Sequence, residues 1–274
     1  MPELPEVETT RRGIEPWLQG HRVTAVDIRQ PSLRWPVDGA AIEALVGQTM
    51  GAVERRGKYI LVRFASGTAI WHLGMSGSLR LVAAGEPPRL HDHIDWQLDN
   101  GMVLRYHDPR RFGALLWQPD GQTLSQLAVL GPEPLLPEAE SGLTADYLYQ
   151  RSRGKRQAIK TFIMDAAVVV GVGNIYANES LFMAGIRPTL EAGKVSLARY
   201  QRLLDCIREV LARAVTQGGT TLRDFVNSDG KPGYFAQQLQ VYGRGGEACR
   251  QCGGVLKEIR LGQRATVYCV SCQH

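Results

Sequence analysis

The sequence predicts an α+β multidomain protein: a β-rich region entered through a helix, then a helical region, then a short cysteine-clamped hairpin. Three observations carry that reading. Between residues 23 and 117, short β-branched and aromatic runs alternate with glycine turns. Beyond the proline-rich stretch that follows, apolar residues recur at helical spacing. Four of the five cysteines form two CxxC pairs near the C-terminal end.

Taken in order, the opening helix is expected from Pro5 to near Gly20, with proline in a first turn that has no use for its missing N–H. Strands are expected at Val23–Arg29, Tyr59–Phe64, Thr68–His72, His93–Leu98, Met102–Tyr106 and Ala114–Trp117, a set that fits a sandwich or a barrel. Gly131-Pro132-Glu133-Pro134, followed by Pro137 and Gly142, is the clearest break and reads as an interdomain linker. A long amphipathic helix spans about Ser196 to Thr216, with a stripe of Tyr200, Leu203, Leu204, Ile207, Leu211 and Ala214, and Cys206 on it reads as a buried, inert thiol. Gly171-Val172-Gly173 is not a dinucleotide fingerprint, because the third glycine falls at Tyr176 and no parallel βαβ pattern surrounds it. It reads as a tight turn feeding a helix capped by Asn174, whose amides suit either an ordinary helix start or one phosphate oxygen. No internal repeat or low-complexity tract is seen. The expected boundaries are a β domain at 1–131, a linker at 132–143, a helical domain at 144–239 and a four-cysteine finger at 240–274.

Composition sets limits. With 274 residues, 44% apolar and 22% charged, the chain is an ordinary globular mixture, which excludes collagen-like, coiled-coil and wholly disordered classes. The longest small-apolar run, Ala166 to Gly173, is far shorter than the roughly 20 residues of a bilayer-crossing helix. The first ten residues carry Glu3, Glu6 and Glu8 and no base, unlike a secretory signal, so a cytoplasmic address is expected. Net charge is +5, too small by itself to mark a polyanion binder, but its distribution is uneven. Residues 151–160 hold Arg151, Arg153, Lys155, Arg156 and Lys160 with no acid, which fits a solvated face or an anion contact.

Cys249, Cys252, Cys269 and Cys272 form two CxxC turns with sixteen residues between them. Each turn presents two sulfurs from one tight loop, the arrangement that tetrahedral zinc takes from four thiolates. Two disulfides are the alternative, which a reducing cytosol disfavours. Val267 and Tyr268 read as a strand, so the segment is a hairpin closed at its base, too short to bury a core of its own and dependent on the metal.

Met1-Pro2-Glu3 offers covalent chemistry. Removal of Met1 before proline exposes a secondary amine, and an α-amino group titrates near 7.7–8.0, against about 10.4 for lysine, so much of it is neutral and nucleophilic near pH 7. Such an amine attacks an electrophilic carbon to form an iminium, and the neighbouring Glu3 carboxyl is placed to move protons.

The stretches PELPEVET at the start, HLGMSGSLR (72–80), HDHID (91–95), YHDPRRFG (106–113), VVVGVGNIYANESLF (168–182), QGGTTLRDF (217–225), SDGKPGYF (228–235) and QRAT (263–266) in the cysteine hairpin closely resemble bacterial formamidopyrimidine-DNA glycosylases over essentially the whole chain. The resemblance implies an N-terminal β-sandwich with flanking helices, a helical domain with a helix-two-turn-helix, and a zinc-binding β-hairpin holding one structural zinc ion. It implies a bifunctional enzyme of base excision repair: a glycosylase for 8-oxoguanine and formamidopyrimidines that then cleaves the abasic strand by β,δ-elimination. Its partner would be double-stranded DNA carrying oxidised purines or abasic sites, bound by a monomer in the bacterial cytoplasm.

Carried over by position, Pro2 corresponds to the nucleophile at sugar C1′, and Glu3 to the acid for ring opening and later proton transfers. Lys58 matches the lysine of the lesion site and strand cleavage. Arg264 and Asn174 match residues that grip phosphates around the extruded nucleotide, and His91, Arg110 and Lys155 match other DNA contacts. Thr220 and Thr221 border the segment that resembles the lesion-sensing loop. A base inside a duplex must be flipped out before its C1′ can be reached, and Met75, Arg110 and Phe112 match the set that fills the gap. Arg110 has donors only, whereas orphaned cytosine presents two acceptors and adenine an acceptor beside a donor, so excision opposite cytosine should be favoured. Thr161, where relatives often carry proline, and Ala166-Ala167, where a more polar pair is common, depart from the family pattern and read as packing variation. Endonuclease VIII, which prefers oxidised pyrimidines, shares the terminal Pro-Glu and the finger. Pro-Glu-Leu-Pro-Glu and Arg110-Arg111-Phe112 favour the purine enzyme, and intact Pro2, Glu3 and Lys58 argue against a non-catalytic damaged-DNA binder on the same scaffold.

Overall fold

The computed structural model describes residues 2–220 and 235–274. They fall into two compact units, one running to Ala128 and including 217–220, the other Val129–Thr216 with 235–274.

The first unit opens on α1 (Leu4–Leu18), which has Glu3 at its N-cap and Pro5 in its first turn and buries Val7, Ile14 and Leu18. Next come β1 (Val23–Ile28), α2 (Gly39–Glu43), β2 (Val53–Arg56), β3 (Tyr59–Phe64), β4 (Gly67–His72), β5 (Ser78–Ala83), β6 (Asp92–Leu98), β7 (Met102–His107), β8 (Ala114–Pro119) and α3 (Ser125–Ala128). The strands form two four-stranded antiparallel sheets, ordered β1-β6-β7-β5 and β2-β3-β4-β8. The sheets meet through buried aromatics: the Trp71 ring of β4 lies 5.3 Å from Trp96 of β6 and 5.2 Å from Tyr106 of β7. That contact, inside one core cluster running from Val7 to Leu115, makes the fold a sandwich. Two strands, β2 and β5, were not expected from the sequence. Both lie at sheet edges, and β2 reads Val-Glu-Arg-Arg, so neither half-burial nor alternation marks it.

The second unit contains α4 (Glu138–Ser141), α5 (Ala145–Ser152), α6 (Ile159–Ile163), α7 (Asn174–Ala184), α8 (Leu197–Thr216), β9 (Lys257–Leu261) and β10 (Arg264–Tyr268). The apolar stripe of α8 is buried as its periodicity requires, with Val210 added, and packs on α5 and α7. Cys206 is half-buried on that helix, and burial pushes its thiol up. The 132–143 stretch is fastened to this unit: Arg208 of α8 donates to Pro134 O at 3.2 Å and Leu143 O at 2.8 Å, and pairs with Glu138 at 2.9 Å. Strands β9 and β10 pair antiparallel around Gly262-Gln263, whose φ values of 54° and 61° are those of a type I′ hairpin turn. Cys249, Leu256, Val267 and Cys269 share a small core with Phe182 of α7 and Val241. Among the described residues, no helix is long and apolar enough to cross a membrane.

Candidate active site and nucleic-acid interface

In the first unit, Pro2 and Glu3 are buried at the head of α1. The sequence reading missed the residue that holds them, Glu6, which is fully buried. Its Oε2 accepts the Glu3 N–H at 2.8 Å and its Oε1 accepts the Thr220 N–H at 2.8 Å, so one carboxylate fixes the chain start against the 219–220 segment. Gly219 permits this approach: its φ is +79°, and a Cβ there would stand 3.0 Å from Glu6 Oε1. The S/T-x-x-E capping pattern that flags such a glutamate is disguised here, because Glu3 stands at the cap. Thr220 is buried with Glu6, and Thr221 lies outside the described residues, as does 228–234 of the SDGKPGYF stretch.

Lys58 is half-buried in the two-residue β2–β3 turn, after Gly57 at φ +58°. Beside it, the Tyr59 ring lies 4.8 Å from that of His72 at the end of β4. Burial, then the charges of Arg34 and Lys58, hold His72 down to about 4, so its ring is neutral at pH 7. The Gly74 N–H meets Nδ1 at 3.0 Å, which makes Nδ1 the acceptor and leaves the proton on Nε2. Met75 is half-buried in the turn after β4, while Arg110 and Phe112 are exposed in the turn before β8, with the Arg110 guanidinium 4.9 Å over the Phe112 ring. His91, half-buried at φ +72°, has its ring 6.1 Å from His93 and 6.2 Å from His107.

In the second unit, Gly173 is the N-cap of α7 and Asn174 its first residue, which corrects the expectation that Asn174 caps the helix. Its carboxamide is engaged elsewhere: Oδ1 accepts from Lys160 Nζ at 2.6 Å, and Nδ2 donates to Ala265 O at 3.1 Å. Lys160 is buried and also donates to Thr266 Oγ1 at 2.6 Å and Ala265 O at 3.1 Å. It therefore joins Asn174 to the strand that begins with Arg264. The basic run 151–160 is thus not one solvated face. Lys155 and Arg156 are exposed, Arg153 stacks 3.8 Å over Tyr149, and Lys160 is an interior ligand of other side chains. Arg264 is exposed beside the hairpin turn.

The sulfurs of Cys249, Cys252, Cys269 and Cys272 all lie within 4.8 Å of one another, and none is in a disulfide. Two pairs stand at 3.5 and 4.0 Å. Thiolates bonded at about 2.3 Å in a tetrahedron would be about 3.8 Å apart. Although burial opposes it, backbone N–H groups of Cys272 and Ser271 bring the Cys269 thiol down to about 7, while burial and the neighbouring sulfurs push Cys272 up to about 12. Four sulfurs converging within this distance of one another fit the tetrahedral thiolate set of a zinc ion.

Sequence profiles decide the family. That of the formamidopyrimidine-DNA glycosylase N-terminal domain matches residues 1–115, that of its H2TH domain matches 130–226, and the zinc finger found in FPG and IleRS matches 246–274. The chain belongs to the formamidopyrimidine-DNA glycosylase family. It is 60% identical over 273 residues to the formamidopyrimidine-DNA glycosylase of Stutzerimonas stutzeri strain A1501, and 59% identical over 274 residues to that of Xanthomonas campestris pv. campestris strain 8004, with all of each chain covered. Among solved structures, the Lactococcus lactis Fpg (MutM) in complex with N7-benzyl-Fapy-dG DNA matches at TM-score 0.90 with 32% identity over the full length of both chains. A MutM complex with carbocyclic 8-oxo-G DNA matches at 0.90 with 31% identity, again over both full lengths. As a formamidopyrimidine-DNA glycosylase, the chain is a DNA glycosylase of base excision repair with lyase activity, and its four-cysteine cluster holds one structural zinc ion.

Proposed function

We propose that the chain excises oxidised purines, 8-oxoguanine and formamidopyrimidines, from double-stranded DNA through an N-terminal proline iminium, and then cleaves the strand by β,δ-elimination. The freed Pro2 nitrogen attacks C1′ of the lesion sugar, and the base leaves with the electron pair of the glycosidic bond. Glu3 supplies the proton that opens the ring and moves protons in the eliminations, with Lys58 assisting at the lesion and in strand cleavage. Arg264 provides a bidentate fork for a phosphate, and Asn174 a second phosphate contact. His91, Lys155 and Arg110 are further DNA contacts, Met75, Arg110 and Phe112 fill the gap left by the flipped nucleotide, and Thr220 and Thr221 border the lesion-sensing loop. The working form is a monomer in the bacterial cytoplasm, with the β domain, linker, helical domain and finger bounded at 131, 143 and 239.

One observation carries the reading: a buried Pro2-Glu3 dipeptide held at a helix head by a second carboxylate, Glu6, with both its oxygens engaged. A terminus meant only to end a chain has no need of burial, whereas a nucleophile has to be held in one place. Borohydride reduction during turnover on an 8-oxoguanine:cytosine duplex, followed by peptide mapping, tests it. The expected adduct lies on Pro2 in a chain lacking Met1; an adduct on another residue, or full activity with Met1 retained, overturns the mechanism.

A further inference from the structure

Asp108 is fully buried, and the chemistry proposed above leaves it without a task. Its Oδ1 accepts the Ser76 hydroxyl at 2.7 Å, and its Oδ2 accepts the Tyr106 hydroxyl at 3.0 Å and the Gly113 N–H at 2.9 Å. None of these three donors is a cation, and a polar group buried this deeply is costly unless its hydrogen bonds are made. Two of the donors, Ser76 and Gly113, come from two different turns, and the third, Tyr106, from β7. Ser76 follows Met75, and Gly113 follows Phe112. Ser76 Oγ also accepts the Arg110 N–H at 3.3 Å. The backbone of Asp108 continues the pattern: its N–H donates to His91 O at 3.1 Å, and its carbonyl accepts the Arg111 N–H at 3.2 Å.

The two turns touch back to back. Gly74 has φ +62°, and any Cβ there would collide with the backbone of Phe112 and Gly113; a Cβ on Gly77 would stand 2.8 Å from the Tyr106 hydroxyl. Neither turn can shift without moving the other or breaking a bond to Asp108.

We propose that Asp108 is a positioning residue that locks Met75, Arg110 and Phe112 into one preorganised block, so that the duplex meets a rigid plug when the lesion nucleotide leaves the stack. The proposal rests on the gap-filling role assigned above to those three side chains. A carboxylate is required because three donors converge on it; an asparagine offers one acceptor oxygen and turns an NH2 group towards the remaining donors. Rigidity matters because a plug that must order itself on insertion pays that entropy against base extrusion.

The test uses the zinc-loaded full chain with Asp108→Asn, Ser76→Ala and Met75→Ala, measured in single turnover on 8-oxoguanine duplexes with cytosine or adenine opposite. Borohydride trapping on an abasic single strand, where nothing need be extruded or filled, serves as reference. Asp108→Asn is expected to slow duplex excision about tenfold or more while trapping on the abasic strand falls by a much smaller factor. The preference for cytosine over adenine should narrow. Ser76→Ala, which removes one donor and leaves the other two, should show the same pattern to a lesser degree and carries the test if Asp108→Asn fails to fold. In a Met75→Ala background, Asp108→Asn should add a smaller factor to the duplex defect than it does in the wild-type chain, because part of its effect passes through Met75. Equal losses on duplex and single strand, or independent effects of Asp108 and Met75, overturn the proposal in favour of a purely structural carboxylate. A Met75→Ala chain with the wild-type duplex rate overturns the gap-filling reading itself, and the proposal with it.

Discussion

Arg110 is exposed, with its guanidinium resting on the Phe112 ring. Such a group meets the orphaned base as a fork of donors, which cytosine satisfies and adenine satisfies only in part. Arg110→Ala should therefore lower excision opposite cytosine more than opposite adenine, and single-turnover rates on the two duplexes would expose an error if both fell equally. His72 makes a different demand on pH. Its folded value near 4 lies below the ordinary 6.5, so the folded state refuses a proton that the unfolded chain accepts. The stability tied to its neutral ring is complete above about 6.5 and is lost as pH falls from there through about 4. In the folded protein at pH 5.5, the ring carbon and proton NMR shifts of His72 should be those of a neutral imidazole; a midpoint near 6.5 would contradict the burial argument.

Between α7 and the zinc hairpin, the connection is a set of named bonds within the second unit. Lys160 bridges Asn174 to Ala265 and Thr266, and Asn178 Oδ1 takes the Val267 N–H at 2.9 Å while its Nδ2 reaches Asn174 O at 2.6 Å. Hydrogen bonds to a charged donor contribute roughly 1.5–3 kcal/mol, and unmet buried acceptors cost more than the average bond. Lys160→Met, close in length but without donors, should lower the melting temperature and weaken DNA binding in a gel shift about tenfold, the factor that ~1.4 kcal/mol represents. The loss should show even though the exposed Lys155 and Arg264 are untouched. Unchanged affinity would mean that Asn174 and β10 hold their places without the buried ammonium.

At the scale of the whole molecule, the sandwich and the finger draw on separate sources of stability. The first has a core of its own running from α1 through both sheets, whereas the finger has a small cluster around Cys249 and Cys269 and relies on its metal. Removing zinc with a strong chelator, or replacing Cys252, should abolish DNA binding because Arg264 loses its platform. The sandwich should stay folded, its buried Trp71 and Trp96 fluorescence unchanged. Affinity retained in a gel shift after zinc loss would overturn this, as would unfolding of the sandwich.

Much of this was legible in the chain itself. The long apolar stripe of α8, the glycine-punctuated strands and the paired CxxC turns all follow from local chemistry: helical and strand periods, backbone freedom at glycine, and the geometry four thiolates offer a metal. The edge strand β2 was not, because Val-Glu-Arg-Arg carries no strand pattern and pairing with β3 creates it, and β5 was missed although Ser-Leu-Arg-Leu alternates. Asn174 was read as a cap because local propensity favours that, yet a lysine fourteen positions earlier claims its side chain. Glu6 and Asp108 looked like ordinary acids beside more conspicuous motifs, and only the folded chain brings Thr220 to one and Ser76 and Gly113 to the other. The sequence by itself determined which groups carry charge, metal affinity and nucleophilic character, since these reside in covalent structure. Tertiary structure alone decided which of them are held still and by what, because a buried carboxylate is defined by the donors that distant segments bring within 3 Å of it.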